Sequence, residues 1–316
     1  MQSIVLALLL AAGPVEYMKI VTNSKLTYKI GRNPATVPAE DLTCGRHEPS
    51  KKVKLEALQL LNAGDALFDK EDYAGAAKKF EASIAADPAA PMGYFFLGDA
   101  LLNSGEAEAA LAQYRKGIAL DLMLPSGHLF AQSALVELDR RDEAREEIVK
   151  ALAADPRYEP VWKIADKPER WNAKPVVRHT FDVPSGYLGK RQGDSIELWG
   201  GPDNNFLFYA TCKAVWANEP QFAKKHVANG WSIEEEHACV GAWLEGEYNK
   251  AGRKVDKLDP RARHLWDVSN SKLLDGYILF EIIGQHCPMA MATLDDASRG
   301  QLEQYIRKYV IVSAGQ

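Results

Sequence analysis

Between residues 51 and 167 the apolar and small positions recur at a fixed interval of 34 residues. Gly64-Asp65-Ala66-Leu67 is followed 34 positions on by Gly98-Asp99-Ala100-Leu101, and then by Gln132-Ser133-Ala134-Leu135. Ala76, Ala110 and Ala144 keep the same step, as do Phe80, Tyr114 and Ile148, and Ile84, Ile118 and Leu152. Each unit closes on an aspartate: Asp87-Pro88, Asp121-Leu122 and Asp155-Pro156. A period in this range marks stacked supersecondary units, each too small to bury its own apolar face.

The spacing has a physical reading. Gly64 with Gly98, and Ala76 with Ala110, are small enough to let the two helices of a unit approach, and Phe80 and Tyr114 fill the gap beside them. The Asp-Pro pairs stop the second helix, because proline lacks a donor and restricts the residue before it. Turn-prone Asp69-Lys70-Glu71-Asp72 and Asn103-Ser104-Gly105 separate the first helix from the second.

Counted from Ala57, the first unit carries Leu60, Ala63, Gly64, Leu67, Ala76, Phe80 and Pro88 at positions 4, 7, 8, 11, 20, 24 and 32. The second carries Tyr94, Leu97, Gly98, Leu101, Ala110, Tyr114 and Leu122; the third carries His128, Ala131, Gln132, Leu135, Ala144, Ile148 and Pro156. This pattern resembles the tetratricopeptide repeat (TPR) family over about residues 51–167. The third unit departs most, at His128 and Gln132, and the second lacks the closing proline. Pro160, Val161, Trp162 and Ala165 begin a partial fourth unit that Pro168 ends, which reads as a capping helix over residues 158–166.

The resemblance implies a short α-solenoid whose first helices line a concave groove at positions 2, 5, 9, 12 and 13. Those positions hold Leu58, Leu61, Asp65, Phe68 and Asp69, then Met92, Phe95, Asp99, Leu102 and Asn103, then Ser126, Leu129, Ser133, Val136 and Glu137. Some members of the family clamp a terminal carboxylate there with Lys, Arg and Asn. Here Leu61 and Asp65 stand where a clamp wants Lys and Asn, and Ser126 and Phe130 replace its later basic pair. The lining is apolar with an acidic rim, so the implied partner is instead a helix or extended peptide with apolar anchors, a basic one included. A competing reading packs part of this surface against the protein's own remaining segments.

The pattern changes elsewhere. Residues 4–12 are apolar and end in Ala-Ala-Gly, which fits the core and cleavage end of a secretory signal over residues 1–13, although no Lys or Arg precedes it. A buried strand is the other reading, and the run is too short to span a bilayer. Residues 15–30 alternate around Asn23-Ser24 as a short hairpin, and residues 33–50 read as a linker. The 34-residue period is lost after Asp166, and all seven Trp fall at or after Trp162. Residues 168–316 therefore read as a second domain of α+β type, mostly helical. Its expected strands are residues 176–183 and 195–199. Its expected helices are residues 206–217, whose first half also reads as a strand, 232–250, 260–266, 272–284 and 297–312, with Leu302, Tyr305, Ile306 and Tyr309 on one face of the last. Ser232 and Glu235 form a capping box.

Composition adds limits. A net charge of -5 with no basic stripe argues against a nucleic-acid binder. Cys44, Cys212, Cys239 and Cys287 are widely spaced, without a Cys-x-x-Cys, and fit either disulfides in an exported protein or buried small residues. His237, Cys239, His286, Cys287, His226, His264 and the run Glu234–Glu236 supply metal-ligand types, but their spacing does not favour chelation. Ser185 and Ser232 lack a nucleophile-elbow context, and Gly200-Gly201 lacks a phosphate-cradling pattern. The sequence thus predicts no catalytic residue, cofactor or metal. It points to a non-catalytic adaptor or assembly factor, exported to a periplasm or cell surface. The alternative is an enzyme whose carboxyl domain does thiol or metal chemistry on substrates the repeats recruit.

Overall fold

Six helices of nearly equal length fill residues 55–154 of the computed structural model: α1 (Leu55–Phe68), α2 (Tyr73–Ala86), α3 (Pro91–Asn103), α4 (Ala107–Leu120), α5 (Pro125–Glu137) and α6 (Arg141–Ala154). The structure describes residues 27–30, 53–171, 173–181, 190–198, 206–222, 224–225 and 232–315. The expected signal segment and linker lie outside these residues, as do Cys44, His226, Ser185 and Gly200-Gly201. Each helix packs on the next, and α1, α3 and α5 also touch in succession, so the three pairs stack as a solenoid. Chain contacts divide the protein into two compact units.

The repeat unit takes in residues 44–178 and also residues 283–316. Its period is visible in the backbone. Glu71, Gly105 and Asp139, one per pair and 34 apart, adopt positive φ (62°, 85° and 55°) where the first helix turns into the second. Asp87, Asp121 and Asp155 end the second helices in extended conformation at φ of -143°, -153° and -147°. Phe80 lies against Gly64 and Tyr114 against Gly98 so closely that a Cβ on either glycine would collide with the ring. In the third pair Gln132 replaces the glycine and Ile148 replaces the ring, and both are buried: the bulk has moved across the joint.

Beyond α6 the expected capping helix forms as α7 (Glu159–Ala165), with Val161 and Ala165 buried. The last residues return to this unit. They include a short helical turn, Gly284–His286 (α8), a 3-10 segment, Pro288–Thr293, and α9 (Asp296–Tyr305), which runs into a π-helical turn, Ile306–Val310. Both α9 and that turn pack on α6. Leu302, Tyr305 and Ile306 are buried as the sequence indicated, but the π turn brings Val310 rather than Tyr309 into the core. A backbone bridge ties Ala173 to Ser313, and Arg307 grips Glu146 through three hydrogen bonds of 2.8–3.1 Å. The expected domain of residues 168–316 is therefore not one body: residues 168–178 and 283–316 pack with the repeats.

The other unit comprises residues 1–43 and 179–282. Its sheet has the order β1 (Thr27–Ile30), β3 (Ser195–Leu198), β2 (Lys190–Gln192). β1 runs parallel to β3 and β2 antiparallel to it, joined by a turn in which Gly193 takes φ 60°. Three helices follow: α10 (Leu207–Asn218), α11 (Ile233–Lys250) and α12 (Pro260–Asn270). Then comes α13 (Leu274–Tyr277), continued by a π-helical run, Ile278–Ile283. The Ser232 hydroxyl accepts from the Glu235 main-chain N–H and caps α11, which is one half of the expected capping box. The strand expected from residue 176 does not form over residues 176–181. Among the described residues no ladder pairs with this stretch, and its Phe181 is buried edge-on against Phe206, Tyr209 and Trp243.

Candidate functional site

The first helices of the three pairs, α1, α3 and α5, form one wall. Its charge is one-sided. The wall holds Glu56, Asp65, Asp99 and Glu137, and no Lys or Arg. Within the six helices the basic residues all lie on the second ones, at Lys78, Lys79, Arg115, Lys116, Arg141, Arg145 and Lys150, while Lys54, Lys70 and Arg140 flank helix ends. Of the ten residues expected to bind a partner, Asp65, Asn103 and Ser133 are exposed, and Phe68, Met92, Asp99 and Leu102 are half-buried.

Asp99 is the most constrained of them. The Tyr114 hydroxyl donates to its Oδ1 at 2.6 Å, and Asn103 donates to its main-chain oxygen at 2.9 Å. Burial pushes the Asp99 carboxyl up to about 6, with the tyrosine bond pulling the other way. Burial, with the aspartate charge next, also pushes the Tyr114 hydroxyl upward. Asp99 makes no ion pair among the described residues.

Leu61, Phe95 and Leu129 differ from the expectation in being buried. Phe95 is wholly enclosed. Its ring fills a slot between Gly117 on α4 and Gly127 on α5, where a Cβ on either glycine would overlap it, and it lies 5.5 Å from the Phe130 ring. It holds the second and third pairs together and presents nothing to a partner. The two glycines were the available sequence signal: Gly127 stands 34 residues after Gly93, while Gly117 has Ser83 and Ala151 at its step, and the period does not say which ring either one meets.

On the second-helix side, a cleft of about 380 Å³ is lined by Arg115, Ile118, Leu122, His128, Glu143, Glu146, Glu147, Lys150, Ala153, Arg299 and Glu303. Its carboxylates are all engaged: Glu143 by Arg115 and Arg140, Glu146 and Glu303 by Arg307, and Glu147 by His128 (2.6 Å) and Lys150 (2.8 Å). His128 is buried, and its second ring nitrogen lies 3.2 Å from the Leu122 carbonyl oxygen. Burial works to raise the Glu147 carboxyl, but the bonds and charges of His128 and Lys150 outweigh it and hold it below the usual carboxylate range. This is a joint that closes the stack.

The chemistry-bearing residues of the other unit are also engaged in pairs. Cys212 and Cys239 form a disulfide between α10 and α11, and Cys287, in the repeat unit, is likewise disulfide-bonded. His237 bonds to Asp275 at 2.6 Å, which raises its pKa, while Cys239 faces the core, so the two do not converge. Lys213 bridges the buried Glu235 and Glu236 at 2.5 and 2.6 Å, and Tyr209 donates to Glu236. Burial works against the Lys213 ammonium, yet the two carboxylates outweigh it and hold its pKa high. Glu234 pairs with Lys225. His264 stacks on His179 at 3.5 Å, and burial, reinforced by that neighbour, drives it down to about 3. Among the described residues no three His, Cys, Asp or Glu side chains converge as a metal ion would need.

A comparison with protein families decides the nature of the stack. Residues 61–121 match the tetratricopeptide repeat. The helix pairs are a TPR-type solenoid. The solved structures that resemble the chain include the second TPR domain of human RPAP3 in complex with an HSP70 peptide (21% identity, 34% of this chain and 91% of that one, TM-score 0.33). Another is the Yersinia enterocolitica type III secretion chaperone SycD in complex with a peptide of the translocator YopD (19%, 37% and 90%, 0.34). A third is the Sgt2 TPR domain from Aspergillus fumigatus (17%, 44% and 97%, 0.33). No curated protein matches the chain. Among the described residues no helix is long and apolar enough to cross a membrane.

Proposed function

We propose that this protein is a non-catalytic adaptor or assembly factor that takes a partner peptide or helix on the inner wall of its TPR stack. The observation that carries this reading is the wall itself: three first helices in register, with Phe68, Met92 and Leu102 half-buried and Asp65, Asn103 and Ser133 open to solvent. Such a surface offers apolar anchors with polar groups between them, the lining that peptide-binding grooves use. The engagement of Cys212, Cys239 and Cys287 in disulfides favours this role over a thiol enzyme, and it supports export to an oxidising compartment such as a periplasm or cell surface.

The experiment is co-purification of partners with the full chain and with Leu102→Asn, a half-buried position at the end of α3. A partner retained by the parent and lost by the variant, at equal helicity and melting temperature, supports the reading. A partner retained equally by both overturns the inner wall as the site.

A further inference from the structure

We infer that the inner wall is built for a cationic partner segment, one that places a Lys or Arg beside Asp99 and apolar side chains against Phe68, Met92 and Leu102. This rests on the adaptor reading above and narrows its partner to one chemistry.

The argument is charge complementarity across a groove. The three helices that face the partner carry acids at positions 56, 65, 99 and 137 and no compensating cation. Asp65 and Asp99 occupy equivalent positions of adjacent pairs, with the uncharged Ser133 at the third, so the negative charge of this row is concentrated on the first two pairs. Asp99 spends one carboxylate oxygen on Tyr114, and no cation of the described chain reaches it. A half-buried carboxylate kept ionised at neutral pH without a counter-charge bears a desolvation cost that an incoming ammonium or guanidinium offsets. Like-charged segments, and segments ending on a free carboxylate, meet repulsion along the same row.

The test is selection of a random 16-residue peptide phage library on the full-length protein, followed by fluorescence anisotropy of the enriched peptides. The variants are Asp99→Asn, which keeps an acceptor for Tyr114, Asp65→Asn at an exposed position, and Leu102→Asn. Glu81→Gln, an exposed acid on α2, is the charge control. Enrichment of peptides that combine Lys or Arg with apolar residues supports the inference, provided affinity falls about tenfold in Asp99→Asn, measurably in Asp65→Asn, and not in Glu81→Gln. Enrichment of neutral or acidic peptides that Leu102→Asn weakens overturns the cationic preference and leaves the groove reading standing, and so does indifference to both aspartate changes. If no enriched peptide responds to Leu102→Asn, the groove reading fails and this inference fails with it.

Discussion

Trp162 donates its indole N–H to the carbonyl oxygen of Pro156 at 2.9 Å. Two units earlier Tyr94 donates its hydroxyl to Pro88 at 3.1 Å, and His128 sets a ring nitrogen against the Leu122 carbonyl between them. Three chemically different side chains thus bridge the same joint, six residues back each time. The bond ties each first helix to the turn that ends the preceding pair. It also marks α7 as the first helix of a fourth unit rather than a loose end. Trp162→Phe keeps most of the packing and removes the donor. It is expected to lower stability by about 1 kcal/mol in urea titration. Tyr94→Phe, at a more exposed bond, is expected to lose less.

The turn residues offer a change in the opposite direction. Glu71 holds φ at 62°, a conformation that a side chain other than Gly, Asn or Asp adopts at a cost. Glu71→Gly removes that strain at the expense of a freer unfolded chain, for a net gain of about 0.5 kcal/mol. Gly105→Ala, at φ 85°, forces the strain in and is expected to lose about 1 kcal/mol. Paired thermal melts of the two variants check both signs; equal effects would remove the turn argument.

Glu147 makes stability depend on acidity. Its carboxyl is held below the ordinary range in the folded chain, so its contribution is complete above the unfolded value and drains away as pH falls through the folded one. Glu147→Gln is expected to cost about 1–3 kcal/mol at neutral pH, since it weakens the bond to the buried His128 ring and takes the ion-pair partner from the partly exposed Lys150. Denaturation midpoints measured from pH 7 down to pH 3 should show the parent and variant curves converging at the acid end.

Phe95→Ala is expected to destabilise the repeat unit by about 3–5 kcal/mol, because the slot between Gly117 and Gly127 cannot collapse around a methyl group. Loss of partner binding in that variant would report unfolding. Leu102 and Asp99 are the positions that separate the two effects.

The sequence disclosed those features whose partners share the 34-residue step. Gly64 with Phe80 and Gly98 with Tyr114 are close contacts inside one pair, and the period fixes both members. Phe95 was assigned to the groove because position 5 faces it in related stacks, whereas the glycines that enclose this ring belong to two different neighbouring helices, and only Gly127 has a glycine, Gly93, one step earlier. The helices over residues 206–217 and 232–250 were legible from apolar content and the Ser232 cap. Residues 176–181 carry the β-prone residue types of a strand but pair with nothing among the described residues, since residue type says nothing of a neighbouring ladder. The return of residues 283–315 to α6 left no local trace, because Arg307 and Glu146 lie 161 positions apart and each looks like an ordinary surface charge until the fold joins them.

The seating of α9 and its π turn on α6 has a consequence for how the chain is made. The first two helix pairs can settle as soon as they emerge from the ribosome, each on its predecessor. The third waits for residues 296–310, which pack on α6 from far along the chain. Removing residues 296–310 would leave that face of α6 bare for other chains to stick to, so this returning segment guards the repeats against aggregation.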